Sequence, residues 1–252
     1  MMRTAQVLLL IGLVFLVPKA FAEESVRIAV AANFLATIKL IAKDFTKQTG
    51  IAVHLSNGST GMLYAQITRG APYDLFFSAD SHRPELLEKA GLIEENSRFT
   101  YVTGRLVVWA RDPSVSTNLA ELRLDQPGFR FFSIANPKIA PYGVAARSVL
   151  KHYGLYETLL ENNRLALGEN IGKTYHYIAT GNAQIGLVAK SYMRRPHQGS
   201  YVEVDPSLYQ PIYQQAVILK NRNTPAVQSF LKFFHSKAVQ EIIKQNGYGL
   251  LE

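Results

Sequence analysis

The sequence predicts an α/β protein built from two consecutive units of strands and helices. Short apolar runs alternate with segments whose apolar residues recur every three or four positions, which are the patterns of buried strands and amphipathic helices. This alternation is typical of helices that flank a largely parallel sheet. A more irregular segment follows residue 110, and the alternation then resumes, which indicates a second α/β unit.

The individual elements follow from this pattern. Residues 26–32 form the first predicted strand, and apolar spacings of three and four from Asn33 predict a helix that ends at Gly50. Further strands are predicted at residues 51–55, 74–77, 105–110, 131–135, 164–167, 185–189 and 215–219. Further helices are predicted at residues 62–69, 84–90, 144–153 and 171–180, after Thr224-Pro225, and in a last segment that ends at Gly247. The polar residues 194–206 predict a surface loop.

Residues 1–22 have the composition of a secretory signal peptide. Arg3 gives a positive start, residues 7–17 are apolar, and Ala20 and Ala22 are the small residues of a cleavage site. The apolar run is shorter than the roughly 20 residues that span a bilayer, which disfavours a retained anchor. We therefore expect export to the periplasm, with cleavage after Ala22.

Composition excludes several classes of site. The chain has no cysteine, so it has no disulfide framework, no thiolate metal site and no cysteine nucleophile. Its formal net charge is +8, but Lys and Arg are dispersed, which argues against a nucleic-acid-binding surface. A moderately basic surface attracts anions at long range.

An exported hydrolase is the main alternative from a different functional class. The sequence has no Gly-x-Ser-x-Gly motif. Its six histidines are scattered over predicted surface positions, and no two are four residues apart, as in a helical metal site. Residues 58–61 lack the lysine of a phosphate-binding P-loop. We therefore expect a protein that is not an enzyme.

Four strand-to-helix junctions have small or hydroxyl residues where the helix begins. The first N–H groups of a helix have no intrahelical partner and lie at its positive end, so they bind anions without a cationic side chain. In open α/β sheets, ligands also bind beyond the carboxyl ends of strands. Asn, Ser and Thr are common helix caps, so one junction alone is weak evidence, whereas four together indicate an anion site. The junctions are Ala32-Asn33, Ser59-Thr60-Gly61, Pro141-Tyr142-Gly143 and Asn170-Ile171-Gly172.

Several longer segments then resemble one family. Residues 30–34 (VAANF), 58–67 (GSTGMLYAQI) and 70–80 (GAPYDLFFSAD) closely resemble the periplasmic molybdate-binding proteins of the ModA family. Residues 135–146 and 168–188 look like that family's second-lobe anion segment and the segments that follow it. The resemblance covers nearly all of the chain after residue 22, in order.

The resemblance implies a type II periplasmic-binding-protein fold, with two lobes, each a mixed, mainly parallel sheet flanked by helices, joined by two hinge crossings. It also implies a monomer that captures molybdate or tungstate between the lobes and delivers it to the membrane permease of an ABC importer, without a cofactor. A binding protein for sulfate or phosphate remains an alternative. The expected division is 1–22 signal peptide, 23–102 plus 210–252 lobe I and 103–209 lobe II, with crossings near 100–105 and 205–214.

The resemblance also implies a ligand set of neutral donors, in which molybdenum or tungsten enters only as the oxyanion. Asn33 would donate a side-chain or backbone N–H, Ser59 and Thr60 a hydroxyl and an amide, and Tyr142 and Ile171 backbone N–H groups. Which of Ser59 and Thr60 is the main hydroxyl ligand stays open. One branch of the family has Ser at the first site and a ligand Tyr where this chain has Ala189. Another branch has Asn at the first site and Tyr at the third, as this chain has with Asn33 and Tyr142.

The chemistry of the anion favours such donors independently. Molybdate, tungstate and sulfate carry no proton at neutral pH and only accept hydrogen bonds, so a carboxylate facing them would be an unpaired acceptor. Phosphate keeps a proton and calls for an acceptor. None of the five matched positions is acidic, but Glu169 is two residues from Ile171, so phosphate is disfavoured without being excluded.

Overall fold

The computed structural model describes residues 24–194 and 198–250. The expected signal peptide, residues 1–22, and its cleavage site lie outside these residues. Within the described ranges, no helix has the length and apolar character needed to cross a membrane.

Strands and helices alternate along the described residues, as the apolar pattern predicts. The strands are β1 (Ser25–Ala31), β2 (Ala52–Gly58), β3 (Leu75–Phe77), β4 (Phe99–Gly104), β5 (Leu106–Ala110), β6 (Phe132–Ala135), β7 (Leu165–Gly168), β8 (Ile185–Ala189), β9 (Ser200–Glu203) and β10 (Ile212–Ile218). The helices are α1 (Leu35–Thr49), α2 (Thr60–Thr68), α3 (His82–Lys89), α4 (Pro141–His152), α5 (Leu155–Glu161), α6 (Ile171–Ala179), α7 (Pro225–Phe234) and α8 (Lys237–Gln245).

The strands form two mixed five-stranded sheets. The first has the order β2-β1-β3-β10-β4, and the second has the order β7-β6-β8-β5-β9. In each sheet one strand, β1 or β6, lies between two parallel neighbours, and the remaining pairs of strands are antiparallel. Helices α1, α2, α3, α7 and α8 flank the first sheet to give lobe I, and α4, α5 and α6 flank the second to give lobe II.

The chain passes between the two sheets twice. A single residue, Arg105, separates β4 in the first sheet from β5 in the second, and residues 204–211 lead back from β9 to β10. These are the two hinge crossings of the expected fold. The division of the lobes at residues 102/103 and 209/210 stays a prediction.

A cluster of aromatic side chains in lobe I supports the first strand-to-helix junction. Phe34 is fully buried, and its ring contacts those of Phe77, Tyr101, Phe234 and Tyr248, with centroids 4.8–6.4 Å apart. The contact with Phe77 is stacked and the other three are edge-to-face, and such contacts favour one arrangement of the rings. The backbone around residue 33 is therefore held by packing from several elements.

Some elements differ from the sequence-based expectations. Residues 200–203 of the expected surface loop form the edge strand β9, which pairs only with β5 among the described strands. Three of the four residues of β9 are exposed, so the strand lacks the apolar pattern of a buried one. Helix α5 and strand β4 were also not predicted as elements.

Candidate anion-binding site

All five residues expected to bind the anion line one small cavity between the lobes. The space between its lining residues amounts to about 210 Å³, part of which is open to solvent. Every one of the four predicted junctions contributes to its wall, two from each lobe. The lining residues are Ala31, Ala32, Asn33, Gly58, Ser59, Thr60, Ala79, Ala140, Pro141, Tyr142, Asn170 and Ile171.

The first junction follows β1 directly. Residues Ala32–Phe34 form a short 3₁₀ turn that continues into α1, so the helical N–H groups at its start lie beyond the carboxyl end of the strand. Asn33, in the middle of this turn, is only 3% exposed. At its other end α1 stops at Gly50, which adopts the left-handed conformation (φ 75°) expected of that glycine.

The second junction is the start of α2. Ser59 is the N-cap, and its Oγ accepts a hydrogen bond from the Met62 N–H at 3.4 Å. Thr60 is the first helical residue, and its Oγ1 accepts from the Ala79 N–H at 3.0 Å. Both residues are almost fully buried. Each hydroxyl oxygen thus already accepts one hydrogen bond and keeps its own proton to donate.

The third and fourth junctions begin α4 and α6 in lobe II. Pro141 occupies the first turn of α4, where a backbone N–H would have no intrahelical acceptor, so its absence breaks no hydrogen bond of the helix. Tyr142 follows it. Asn170 caps α6 by accepting a hydrogen bond from the Lys173 N–H at 3.0 Å, and Ile171 is the first residue of that helix. The N–H groups of Tyr142 and Ile171 therefore belong to the set that has no intrahelical acceptor.

The two lobes contact each other around the cavity. The Gly61 N–H of lobe I donates to the Ile139 carbonyl of lobe II at 2.9 Å. The Tyr192 hydroxyl of lobe II donates to the Ala32 carbonyl at 3.0 Å, and Ser191 Oγ donates to the Asn33 carbonyl at 3.4 Å. Tyr192 was not among the expected site residues, because its contact joins positions 160 residues apart.

A buried hydrogen-bond network behind the cavity was also missed by sequence reasoning. Gln214, on β10 of lobe I, is fully buried. Its Oε1 accepts from Asn33 Nδ2 at 2.8 Å and from the Tyr101 hydroxyl at 3.1 Å, and its Nε2 donates to the Tyr142 hydroxyl of lobe II at 3.1 Å. No local pattern marks this residue, although a polar side chain inside an apolar strand is a general sign of a buried hydrogen bond.

The cavity wall has no charged side chain. Glu169, the nearby carboxylate that could accept the proton of phosphate, is exposed and does not line the cavity. Burial, with a smaller contribution from Tyr248, raises the pKa of both Tyr101 and Tyr142 well above the usual value, so both phenols stay protonated at neutral pH. Across the described residues, no three His, Asp or Glu side chains are grouped to hold a bare metal ion.

Only the N–H end of the Asn33 side-chain amide has hydrogen-bond partners. Its Nδ2 donates to Gln214 Oε1 and, at 3.3 Å, to the Tyr248 hydroxyl, which itself donates to the Asn33 carbonyl at 2.6 Å. Its Oδ1 is buried and is the one such side-chain atom without a hydrogen-bond partner among the described residues. Buried polar atoms of this kind are rare in proteins and often mark a functional position.

The chain is similar to known binding proteins over most of its length. The family described as bacterial extracellular solute-binding protein matches residues 26–249. The molybdate-binding protein ModA of Azotobacter vinelandii is 43% identical over 89% of this chain and 90% of its own, and ModA of Rhodobacter capsulatus is 41% identical over 87% and 86%. The solved periplasmic molybdate-binding protein of Azotobacter vinelandii superposes with a TM-score of 0.83 at 40% identity, over 90% of this chain and all of the other.

These similarities agree with the fold and with the arrangement of the four junctions. The identity to both ModA proteins lies well above what fold similarity alone produces, and the matched region includes both lobes and both passages between them. The chain belongs to the bacterial extracellular solute-binding proteins and, within them, to the family of the molybdate-binding protein ModA.

Proposed function

We propose that this protein captures molybdate or tungstate between its two lobes in the periplasm and delivers the anion to the membrane permease of an ABC importer. The single observation that carries the proposal is the cavity between the lobes, whose wall combines the starts of four helical segments with no charged side chain. The names of the two ModA relatives supply the identity of the anion.

The proposed ligand set uses neutral donors from both lobes. Asn33 supplies a side-chain or backbone N–H, Ser59 a hydroxyl, and Thr60 a backbone N–H with its hydroxyl nearby. Tyr142 and Ile171 supply backbone N–H groups from the other lobe. Either Ser59 or Thr60 can be the main hydroxyl ligand, because each hydroxyl oxygen already accepts one hydrogen bond and keeps its proton to donate.

This set suits a fully deprotonated dianion better than phosphate. Helix starts stabilise negative charge, and hydrogen bonds to a charged acceptor are about twice as strong as neutral ones. Monohydrogen phosphate brings a proton that needs an acceptor, and the wall contains no carboxylate to accept it. Binding without catalysis also fits, since the wall contains no histidine, carboxylate or lysine to act as an acid or base.

The proposal includes export and a monomeric state. Cleavage after Ala22 would release the chain into the periplasm, where it would bind molybdate or tungstate. One anion bound between two lobes of the same chain requires no second copy. Exchange of the anion with the permease then follows from opening and closing of the lobes about the two passages.

Thermal unfolding of the mature protein with different anions tests the proposal. A ligand that binds only the folded state adds RT ln(1 + [L]/Kd), on the order of 4 kcal/mol at a thousandfold excess over Kd. Molybdate and tungstate should therefore raise the melting temperature clearly, while phosphate at the same concentration and ionic strength should not. A shift with phosphate alone, or with none of these anions, would show that the proposed ligand is wrong.

A further inference from the structure

Tyr192 carries a hydroxyl across the boundary between the lobes. It lies in the short 3₁₀ segment Lys190–Arg194, which follows β8 in lobe II, and its side chain is buried. Its hydroxyl donates to the Ala32 carbonyl of lobe I at 3.0 Å. The direction of this hydrogen bond is certain, because a carbonyl oxygen only accepts. Tyr192 does not line the anion cavity, so it is not one of the proposed ligands.

The carbonyl that accepts this hydrogen bond belongs to a peptide at the anion cavity. The C=O of Ala32 and the N–H of Asn33 are the two polar ends of one planar peptide. Asn33 lines the cavity, and its N–H lies at the start of the first helical segment. A hydrogen bond to the carbonyl end fixes the plane of the peptide and polarises its N–H end, which strengthens the bond that the N–H donates. The Tyr192 hydroxyl is therefore placed to act on the Asn33 N–H from behind the cavity wall.

The same hydroxyl lies beside the fourth junction. A Cβ atom on Gly172, the second residue of α6, would lie 2.8 Å from the Tyr192 hydroxyl oxygen and overlap it. Glycine at this position therefore leaves the room that the hydroxyl occupies. Gly172 directly follows Ile171, the proposed donor at the start of α6. One hydroxyl thus lies between a junction of lobe I and a junction of lobe II, an arrangement that exists only while the lobes are together.

Stacked aromatic rings hold Tyr192 in lobe II. Its ring stacks on that of Tyr175, on α6, with centroids 4.8 Å apart and an interplanar angle of 19°. The Tyr175 ring stacks in turn on Trp109, a buried residue of β5, with centroids 4.8 Å apart and an angle of 16°. Ring contacts of this kind restrict the orientation of the side chain. The Tyr192 hydroxyl is therefore in position before the lobes meet, so little conformational entropy is lost when its hydrogen bond forms.

We propose that Tyr192 is a positioning residue that slows release of the anion. When the lobes meet, its hydroxyl binds the Ala32 carbonyl and holds the peptide with the Asn33 N–H towards the dianion. This inference rests on the proposed function, since it concerns how the same cavity retains its ligand. The neighbouring Ser191 contributes less, because its 3.4 Å bond to the Asn33 carbonyl polarises the N–H of Phe34, which does not line the cavity.

Release kinetics of Tyr192→Phe test this role, because the substitution removes the hydroxyl and keeps the stacked ring. Loss of radiolabelled molybdate into an excess of unlabelled molybdate should become about three- to tenfold faster, the range that one net hydrogen bond is worth. The association rate, obtained from the release rate and the calorimetric Kd, should stay within about twofold, because the anion meets the open lobes before the contact forms. An unchanged release rate, or a loss of affinity that lies entirely in association, would overturn the proposal.

Tyr175→Phe is the matched control, since it makes the same chemical change in the adjacent ring of the stack. In the part of the chain that the structure describes, the Tyr175 hydroxyl makes no hydrogen bond with lobe I. Release of molybdate should therefore be as slow in this variant as in the parent. If Tyr175→Phe releases molybdate as fast as Tyr192→Phe, disturbance of the stacked rings explains both effects and the positioning role is refuted.

An NMR measurement shows whether Tyr192 acts through the Asn33 peptide. With molybdate saturating both proteins, the backbone nitrogen resonance of Asn33 should move upfield in Tyr192→Phe, because the carbonyl of its peptide loses a donor. The backbone resonance of Thr60 should stay in place, since the Ser59 carbonyl of its peptide accepts from the Leu63 N–H within lobe I. An unchanged Asn33 resonance would overturn the positioning role.

Failure of this inference is distinct from failure of the proposed function. If the parent binds molybdate and releases it at the same rate as Tyr192→Phe, only the role of Tyr192 is wrong. If the parent binds neither molybdate nor tungstate, both are wrong.

Discussion

At Asn33 we expect a single atom of the side chain to separate binding from rejection of a dianion. Asn33→Asp preserves the size of the side chain but replaces the donor N–H group by an acceptor with a negative charge. Loss of a charge-assisted hydrogen bond alone costs roughly 1.5–3 kcal/mol, and repulsion in a poorly solvated cavity adds to that. We expect molybdate binding to fall more than tenfold, as measured by calorimetry at constant ionic strength.

Asn33→Ser provides the control for this substitution. A hydroxyl still donates, and the backbone N–H of residue 33 is untouched, so the loss of affinity should be smaller than for Asp. Equal binding of molybdate by the parent and Asn33→Asp would mean that the Asn33 side chain does not face the anion.

The individual residues of the site were predictable to different degrees. Asn33, Ser59, Thr60, Tyr142 and Ile171 stand at helix starts, which sequence patterns reveal locally, and the structure brings all five to one cavity. Their roles as ligands stay a prediction. Gln214 could not be found in this way, because its partner Asn33 is 181 residues away and neither the strand nor the helix pattern depends on that contact.

Among the elements, the start of α2 both lines the proposed anion cavity and contacts the other lobe. A Cβ atom on Gly61 would lie 3.0 Å from the Ile139 carbonyl oxygen and 3.1 Å from its Cα. Gly61→Ala favours the helix by up to about 1 kcal/mol but forces the two backbones apart. Overpacking typically costs about 1–3 kcal/mol, so molybdate binding should weaken at least about fivefold while the melting temperature without anion is unchanged or higher.

Thr68→Ala, at the other end of α2, separates the two effects. Residue 68 is exposed and far along the helix from the cavity wall, so this variant changes helix propensity without touching lobe II. Its affinity for molybdate should equal that of the parent. If Gly61→Ala binds as tightly as Thr68→Ala, the close approach of Gly61 and Ile139 does not limit closing of the lobes.

Elements with a buried face were the ones that sequence periodicity predicted well. The helices that begin at Leu35, Ile171 and Pro225 place buried residues at spacings of three and four, and they lie where the apolar pattern put them. Strand β9 is exposed on both faces and along one edge, so hydrogen bonding to β5 forms it without an apolar signature. Tertiary pairing of this kind is not encoded in local periodicity.

At the scale of the whole molecule, the two lobes were predictable from the repeated order of strands and helices and from the resemblance to the ModA family. The contacts by which the lobes meet were not predictable. The lobes meet through contacts such as Gly61 with Ile139 and Tyr192 with Ala32, which join distant parts of the chain. The two covalent passages, at Arg105 and at residues 204–211, lie side by side with the Gln214–Tyr142 contact. Such a pair of connections lets the lobes rotate as units.

We expect rotation of the lobes to accompany binding of the anion. If the anion bridges helix starts from both lobes, its binding stabilises the arrangement in which the lobes are in contact. Small-angle scattering of the mature protein should therefore show a smaller radius of gyration with saturating molybdate than without it. Asn33→Asp is the control, at a molybdate concentration that calorimetry shows to saturate the parent but not the variant, where the variant should show a smaller change. An unchanged profile of the parent protein, with saturation shown by calorimetry, would mean that binding leaves the lobes in place and that release to the permease cannot depend on their opening.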